Sequence, residues 1–331
     1  MMNRDILDKA RGCLLGGAAG DALGYPVEFR YEDQIFSEYG KKGITEHELH
    51  DGVALISDDT QMTLFTADAL VNSKGDYARD IYVRYLDWLK TQSGRKTASG
   101  NSELLDIPEL YSRRAPGGTC LTALESGEMG TVDKPINNSK GCGGVMRVAP
   151  IGVMFSYALE AELIAADAAA ITHGHELGYI PSAMLAGIIS KIIHKGETIG
   201  EAVMHSLIEV ENAFEGCRYI ERFSEVIGDA VFLAGTENDD LSAIHHLGGG
   251  WVAEETLAIA VYCAMKYGKD FRKAVSTAVN HDGDSDSTGA VTGNIVGAFL
   301  GIDGIPKDLV DCLELKDIIL KEADALVAAV R

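Results

Sequence analysis

Cysteine, proline, positive charge and long apolar runs are all scarce in this chain. Six cysteines in 331 residues (Cys13, Cys120, Cys142, Cys217, Cys263, Cys312) form no CxxC pair. A chain this long and cysteine-poor does not need a disulfide framework, no paired-thiolate metal motif is present, and buried free thiols in a reducing cytoplasm are the expectation. Lys and Arg total 29 against 50 Asp and Glu, a net charge of −21. A surface this acidic repels polyphosphate backbones, so general nucleic-acid binding is not expected. The most apolar stretches are broken by polar residues before the ~18 needed for a bilayer span. The opening MMNRDILDKARG carries charge where a secretory leader has an apolar core. Neither membrane insertion nor export is therefore expected, and the location read from sequence is the cytoplasm. Alternating β-branched runs are nearly absent, which leaves little for sheets, and no Gly-x-Ser-x-Gly elbow marks a serine nucleophile.

Helical periodicity fills the space. Apolar residues make up 46% of the chain and recur at helical spacing in Thr60–Asn72, Ala158–Thr172, Ser182–His194, Ala202–Phe214, Glu254–Tyr267 and Thr288–Leu300. With seven prolines and no internal repeat, the pattern predicts an all-α fold: one multi-helix domain over 1–331, expected as a monomer. Thirty-seven glycines cluster at 16–24, 117–118, 141–144 and 248–250, where they permit close backbone packing in helices or close approach to a ligand in loops. Polar segments at 128–140 and 235–240 read as loops.

Two acidic turns stand out. Ser57-Asp58-Asp59-Thr60 opens a helix, where one Ser cap and one acid would suffice; two acids beside two hydroxyls exceed a cap's needs. Asp282, Asp284 and Asp286, with Ser285, Ser287 and Thr288, run straight into a small-residue helix. Their spacing fails the EF-hand template, because no glycine stands at the sixth position and Gly289-Ala290-Val291 replaces the later ligands. Each turn supplies a hydroxyl and two carboxylates at a helix N-terminus. Should the fold bring them together, the oxygen-only donor set selects Mg²⁺ or Mn²⁺ over Zn²⁺. Elsewhere the alternatives are weak. His173 and His175 lack HExxH spacing, and polar residues precede the glycines at 141–144 where a dinucleotide fold would need a buried strand. Trp251 could stack on a flat base of a ligand, but a half-buried core aromatic is the preferred reading.

Five blocks, in order, resemble the ADP-ribosylglycohydrolases: RGCLLGGAAGDALGYPVEF (Arg11–Phe29), ISDDTQMTLFTADAL (Ile56–Leu70), KGCGGVMRVAPIGV (Lys140–Val153), ITHGHELG (Ile171–Gly178) and Asn280–Gly301, with a weaker sixth at Gly250–Glu255. The resemblance implies an orthogonal multi-helix bundle with a binuclear metal site in a central cleft. It places Ser57, Asp58 and Asp59 in one group of metal ligands and Asp284, Asp286 and Ser287 in the other, holding two divalent cations, Mg²⁺ or Mn²⁺. Many members carry Thr where Ser57 and Ser287 stand; Ser keeps the oxygen donor. The resemblance also implies substrate access or water activation for Glu28, and a diphosphate- and ribose-cradling loop at Gly141, Gly143, Gly144, Val145 and Met146. His173 would lie near the nucleotide, and Asp21 would support the site from behind.

The function so implied is hydrolysis of an ADP-ribosylated target, releasing ADP-ribose, with Asp58, Asp59 or Glu28 as general base. Arginine-linked ADP-ribose on protein is the preferred substrate. The alternatives are serine-, base- or O-acyl-linked ADP-ribose, a non-catalytic ADP-ribose-binding module, or a phosphoester hydrolase.

Overall fold

The computed structural model describes residues 2–92 and 100–331, and among these the regular structure is helical, with isolated bridges and no strand. The all-α expectation is borne out. The helices begin earlier than apolar periodicity suggests: at Asp58, Glu176, Ile199 and Ser285. Their starts are set by polar caps upstream of the first apolar residue. Ser57, His175, Thr198 and Asp284 each accept a backbone N–H from the first turn. The stretch Glu176–Lys195 is long and apolar enough to cross a membrane, which the sequence reading did not expect; 94% of its apolar window is buried inside the protein.

One helix pair organises the site. The N-terminal helix, Met2–Gly24, lies antiparallel against Ser285–Leu300 through a ladder of glycines. A Cβ at Gly12, Gly16, Gly20 or Gly24 would strike the backbone carbonyl of Gly297, Gly293, Gly289 or Ser285 respectively. Reciprocally, a Cβ at Gly289, Gly293 or Gly297 would strike the carbonyls of Gly20, Gly16 and Gly12. The four-residue spacing puts these glycines on one helical stripe, so the two backbones touch with no side chains between them. Asn294 locks the register by donating to Cys13 O at 2.9 Å.

The ladder ends at Gly24 against Ser285, so whatever follows Gly24 is delivered to the second acidic turn. That is the short 3-10 turn Tyr25–Val27 and then Glu28. On another face of the N-terminal helix, Asp21 reaches the first acidic turn. Around this hub a single buried apolar cluster runs from Ala10 to Leu326.

Candidate active site

Asp21, fully buried, holds the first turn. It accepts from Ser57 N at 3.0 and 3.1 Å, from Thr60 N at 3.1 Å, and from the Thr60 hydroxyl. These amides belong to the orphan donors of a helix start. Ser57 Oγ accepts from Asp59 N at 3.2 Å, and Asp58 accepts from Gly117 N at 3.1 Å. In the second turn Asp284 caps Ser287 N at 3.3 Å, and Asp286 Oδ1 takes the same N–H at 2.9 Å. Ser287 Oγ donates to Asp59 Oδ2 at 2.9 Å, joining one turn to the other.

Glu28, Asp58, Asp59, Asp284, Asp286 and Ser287 line one cleft of about 310 Å³, at the lower end of the roughly 300–1,000 Å³ of small-molecule sites. Oxygen atoms of Glu28, Asp284 and Asp286 lie within 4.8 Å of one another, and Glu28 Oε2 is buried with no hydrogen-bond partner. Burial raises the whole set, and repulsion adds to it for every member but Asp286. Glu28 is pushed up to about 11 by desolvation, then by Asp286, Asp284 and Asp58. Asp58, Asp59 and Asp284 rise well above the carboxylate range through burial and then Asp286. Asp21 reaches about 7 from burial and Asp286, restrained by its bonds from Thr60 and Ser57. Asp286 rises through burial, and its hydrogen bonds with Asp284 first, then from Ser287 N and Ser57, restrain it.

Among the described residues no ion pair joins a basic side chain to these carboxylates: Arg30, Arg114 and Lys140 pair with Glu38, Glu314 and Glu254. The oxygen donors of these carboxylates and Ser287, an orphaned buried carboxylate oxygen and crowded like charge together fit a hard divalent cation. A more spacious groove of about 870 Å³ lies elsewhere, but its Arg272 and Lys273 are paired with Asp308 and Asp240.

The cleft's other wall is the 3-10 turn Cys142–Arg147. It is pinned by Cys142 N donating to Trp251 O at 3.3 Å and Ala253 N to Lys140 O at 2.9 Å. Gly141, Gly143 and Met146 line the cleft with His173. The glycines are needed for contact: a Cβ at Gly143 would lie 2.7 Å from Cys120 Sγ and 3.0 Å from His173 Cε1. His173 is buried beside Arg147, and burial first, then that positive charge, lowers it to about 3. Gly144 and Val145 do not line the cleft. Gly144 packs on Ala169 and the Gly178 carbonyl, and Val145 is fully buried in the core, because a 3-10 turn repeats every three residues and it is Gly143 and Met146 that share its cleft face. Ser57 likewise sits behind the wall, its hydroxyl meeting the Asp21 and Asp286 carboxylates.

Trp251 is corrected from core aromatic to rim. It is 45% exposed and stacks on Phe29, itself 71% exposed, with centroids 5.9 Å apart, and both line the cleft. The missed residues are Cys142, whose thiol donates to Asp284 Oδ2 at 2.7 Å, and the loop 115–120. In that loop Ala115 takes a left-handed φ of 49°, a strained choice for a residue with a Cβ. The Pro-Gly-Gly run at 116–118 was the available signal for the loop; Cys142 had none beyond its place among the glycines.

A profile described as ADP-ribosylglycohydrolase matches residues 2–331. The chain is 25% identical over 334 residues to "ADP-ribosyl-[dinitrogen reductase] glycohydrolase" of Rhodospirillum rubrum, covering 99% of this chain and 98% of that one. It is 26% identical over 325 residues to "ADP-ribosylarginine hydrolase Tri1" of Pseudomonas putida, covering 97% and 78%. A solved "ADP-ribosylglycohydrolase-related protein complex" shares the fold, with a TM-score of 0.71, 24% identity, and coverage of 99% of this chain and 100% of that chain.

Proposed function

The chain belongs to the ADP-ribosylglycohydrolase family, and on that premise we propose that it is a metal-dependent hydrolase releasing ADP-ribose from arginine-linked ADP-ribose on protein. The observation carrying the reading is the joining of both acidic turns through Ser287 and Asp59 in one cleft with Glu28. The arginine linkage draws support from the relative named as an ADP-ribosylarginine hydrolase.

Ser57, Asp58, Asp59, Asp284, Asp286 and Ser287 would hold two divalent cations, with Glu28 close enough to share one. Bound there, such cations supply charge neutralisation and Lewis acidity toward sugar oxygens. The chain's own groups do the rest. The carboxylates stabilise positive charge developing on the ribose as the glycosidic bond stretches. Glu28 exchanges a proton with the attacking water, since its buried Oε2 has no competing partner. Phe29 and Trp251 form a rim over which a flat group can lie. Location in the cytoplasm, a single-domain monomer and a modified protein as partner complete the proposal.

One assay tests it. Arginine-, serine- and base-linked ADP-ribose conjugates are incubated with the protein in magnesium, manganese or EDTA. Free ADP-ribose from the arginine conjugate, abolished by EDTA, is the expected result. Release from another conjugate alone would reassign the linkage. Binding of ADP-ribose without turnover would point to a binding module, and release of AMP or phosphate to a phosphoester hydrolase.

A further inference from the structure

The floor of the cleft holds a buried chain of hydrogen bonds that ends on His173. Arg147 is fully buried, its Cζ 4.2 Å from the centroid of the Tyr85 ring. It donates from Nη2 to Thr172 Oγ1 at 2.7 Å and to Ala168 O at 3.3 Å, and its Nε has no partner. A guanidinium buried among neutral groups is costly, so its position calls for a reason. Thr172 Oγ1 also lies 2.8 Å from His173 Nδ1.

The Arg147 bond leaves two directions for the second, since a hydroxyl oxygen can accept twice, and the partner of the hydroxyl hydrogen decides between them. A guanidinium only donates, so the Thr172 oxygen is an acceptor on the Arg147 side and its own hydrogen turns away from the positive charge. Two acceptors lie within reach of the hydrogen: the imidazole Nδ1, and the Cys120 sulfur, which already receives Arg147 Nη1 at 3.4 Å. A protonated Nδ1 would leave that hydrogen only the weak sulfur acceptor, whereas a bare Nδ1 takes it in the stronger bond. His173 Nδ1 is then unprotonated and the ring proton sits on Nε2. That edge faces the cleft floor: a Cβ at Gly141 or Gly143 would each lie 3.3 Å from Nε2. No hydrogen bond to Nε2 forms among the described residues.

We infer that Arg147 and Thr172 are positioning residues that lock His173 as the neutral Nε2–H tautomer, a hydrogen-bond donor aimed at an acceptor oxygen of the bound ADP-ribosyl group. The identity of the ligand rests on the function proposed above; the tautomer does not. In this arrangement His173 takes no part in proton transfer, which is left to the carboxyls.

The test reads the tautomer and binding separately. Long-range ¹H–¹⁵N correlation spectra of labelled protein in magnesium, from about pH 6 to about pH 8, should show His173 with protonated Nε2 and unprotonated Nδ1 throughout. Thr172→Val should yield mixed tautomers and weaken ADP-ribose binding about tenfold, the scale of one hydrogen bond. Thr172→Ser should restore both. A protonated Nδ1 in the wild type, or an unchanged tautomer in Thr172→Val, overturns the relay; the wild-type spectrum decides even if the valine variant does not fold. Protein with the expected tautomer that binds no ADP-ribose supports the relay and overturns the functional reading.

Discussion

Ser287 Oγ donates to Asp59 Oδ2 across 2.9 Å, closing a loop of 228 residues and fixing the two acidic turns against each other. Asp286, one residue before that clasp, is the first charge felt by Asp58, Asp59, Asp284 and Glu28 once burial is counted.

Asp286→Asn should therefore act in opposite senses with and without metal. In EDTA the variant should melt above the wild type, because a repelling carboxylate is gone. In magnesium the order should reverse, since a cation at 100 times its Kd stabilises the wild type by about 2.7 kcal/mol. Calorimetric titration should find no magnesium site in the variant. An equal magnesium-dependent rise in Tm for both proteins would count against the assignment. Asp58→Ala, Asp59→Ala and Asp284→Ala should likewise abolish turnover, and normal activity in any two defeats the scheme.

The pH dependence of the metal-free protein has a definite sign. Each carboxyl of the cluster titrates higher in the folded chain than in the unfolded one, so the folded state holds more protons between the two values. Stability then falls as pH rises. The contribution is complete below about pH 4, where unfolded carboxyls titrate. It is lost as pH rises through about 7 for Asp21 and toward about 11 for Glu28. Urea titrations in EDTA at about pH 5.5 and about pH 8 should show the weaker protein at the higher pH. Magnesium should shrink the difference. A protein that gains stability over that interval would contradict the coupling.

The glycine ladder predicts contrasting alanine substitutions. At Gly20 the new methyl meets the Gly289 backbone, which cannot turn aside. Gly20→Ala should cost about 1–3 kcal/mol and weaken magnesium binding as the two helices separate. Gly228 lies exposed in the helix Ile220–Ala234 with open space around its Cβ position. Gly228→Ala should instead stabilise by about 0.4–1 kcal/mol, with magnesium affinity unchanged. Chemical denaturation and titration of both variants check the pair, and similar losses at the two sites would refute the ladder's role.

Much of this protein is legible in one dimension. Helical periodicity and polar caps reveal where most helices run, because both act over a few neighbouring residues. The surplus of oxygen donors at the two acidic turns, and the ordered family blocks, identify the chemistry. Which side chains share the cleft is another matter, because that depends on how distant backbones meet. A glycine stripe announces that something will pack closely, yet only the folded pair shows Gly20 against Gly289 and so Glu28 beside Asp284 and Asp286. The same dependence on three dimensions turned Gly144 and Val145 into the core, set Ser57 behind the wall, brought Trp251 out to the rim and placed the Cys142 thiol on Asp284. Local chemistry is written residue by residue. Convergence is settled by packing between elements hundreds of residues apart, which no short-range pattern encodes.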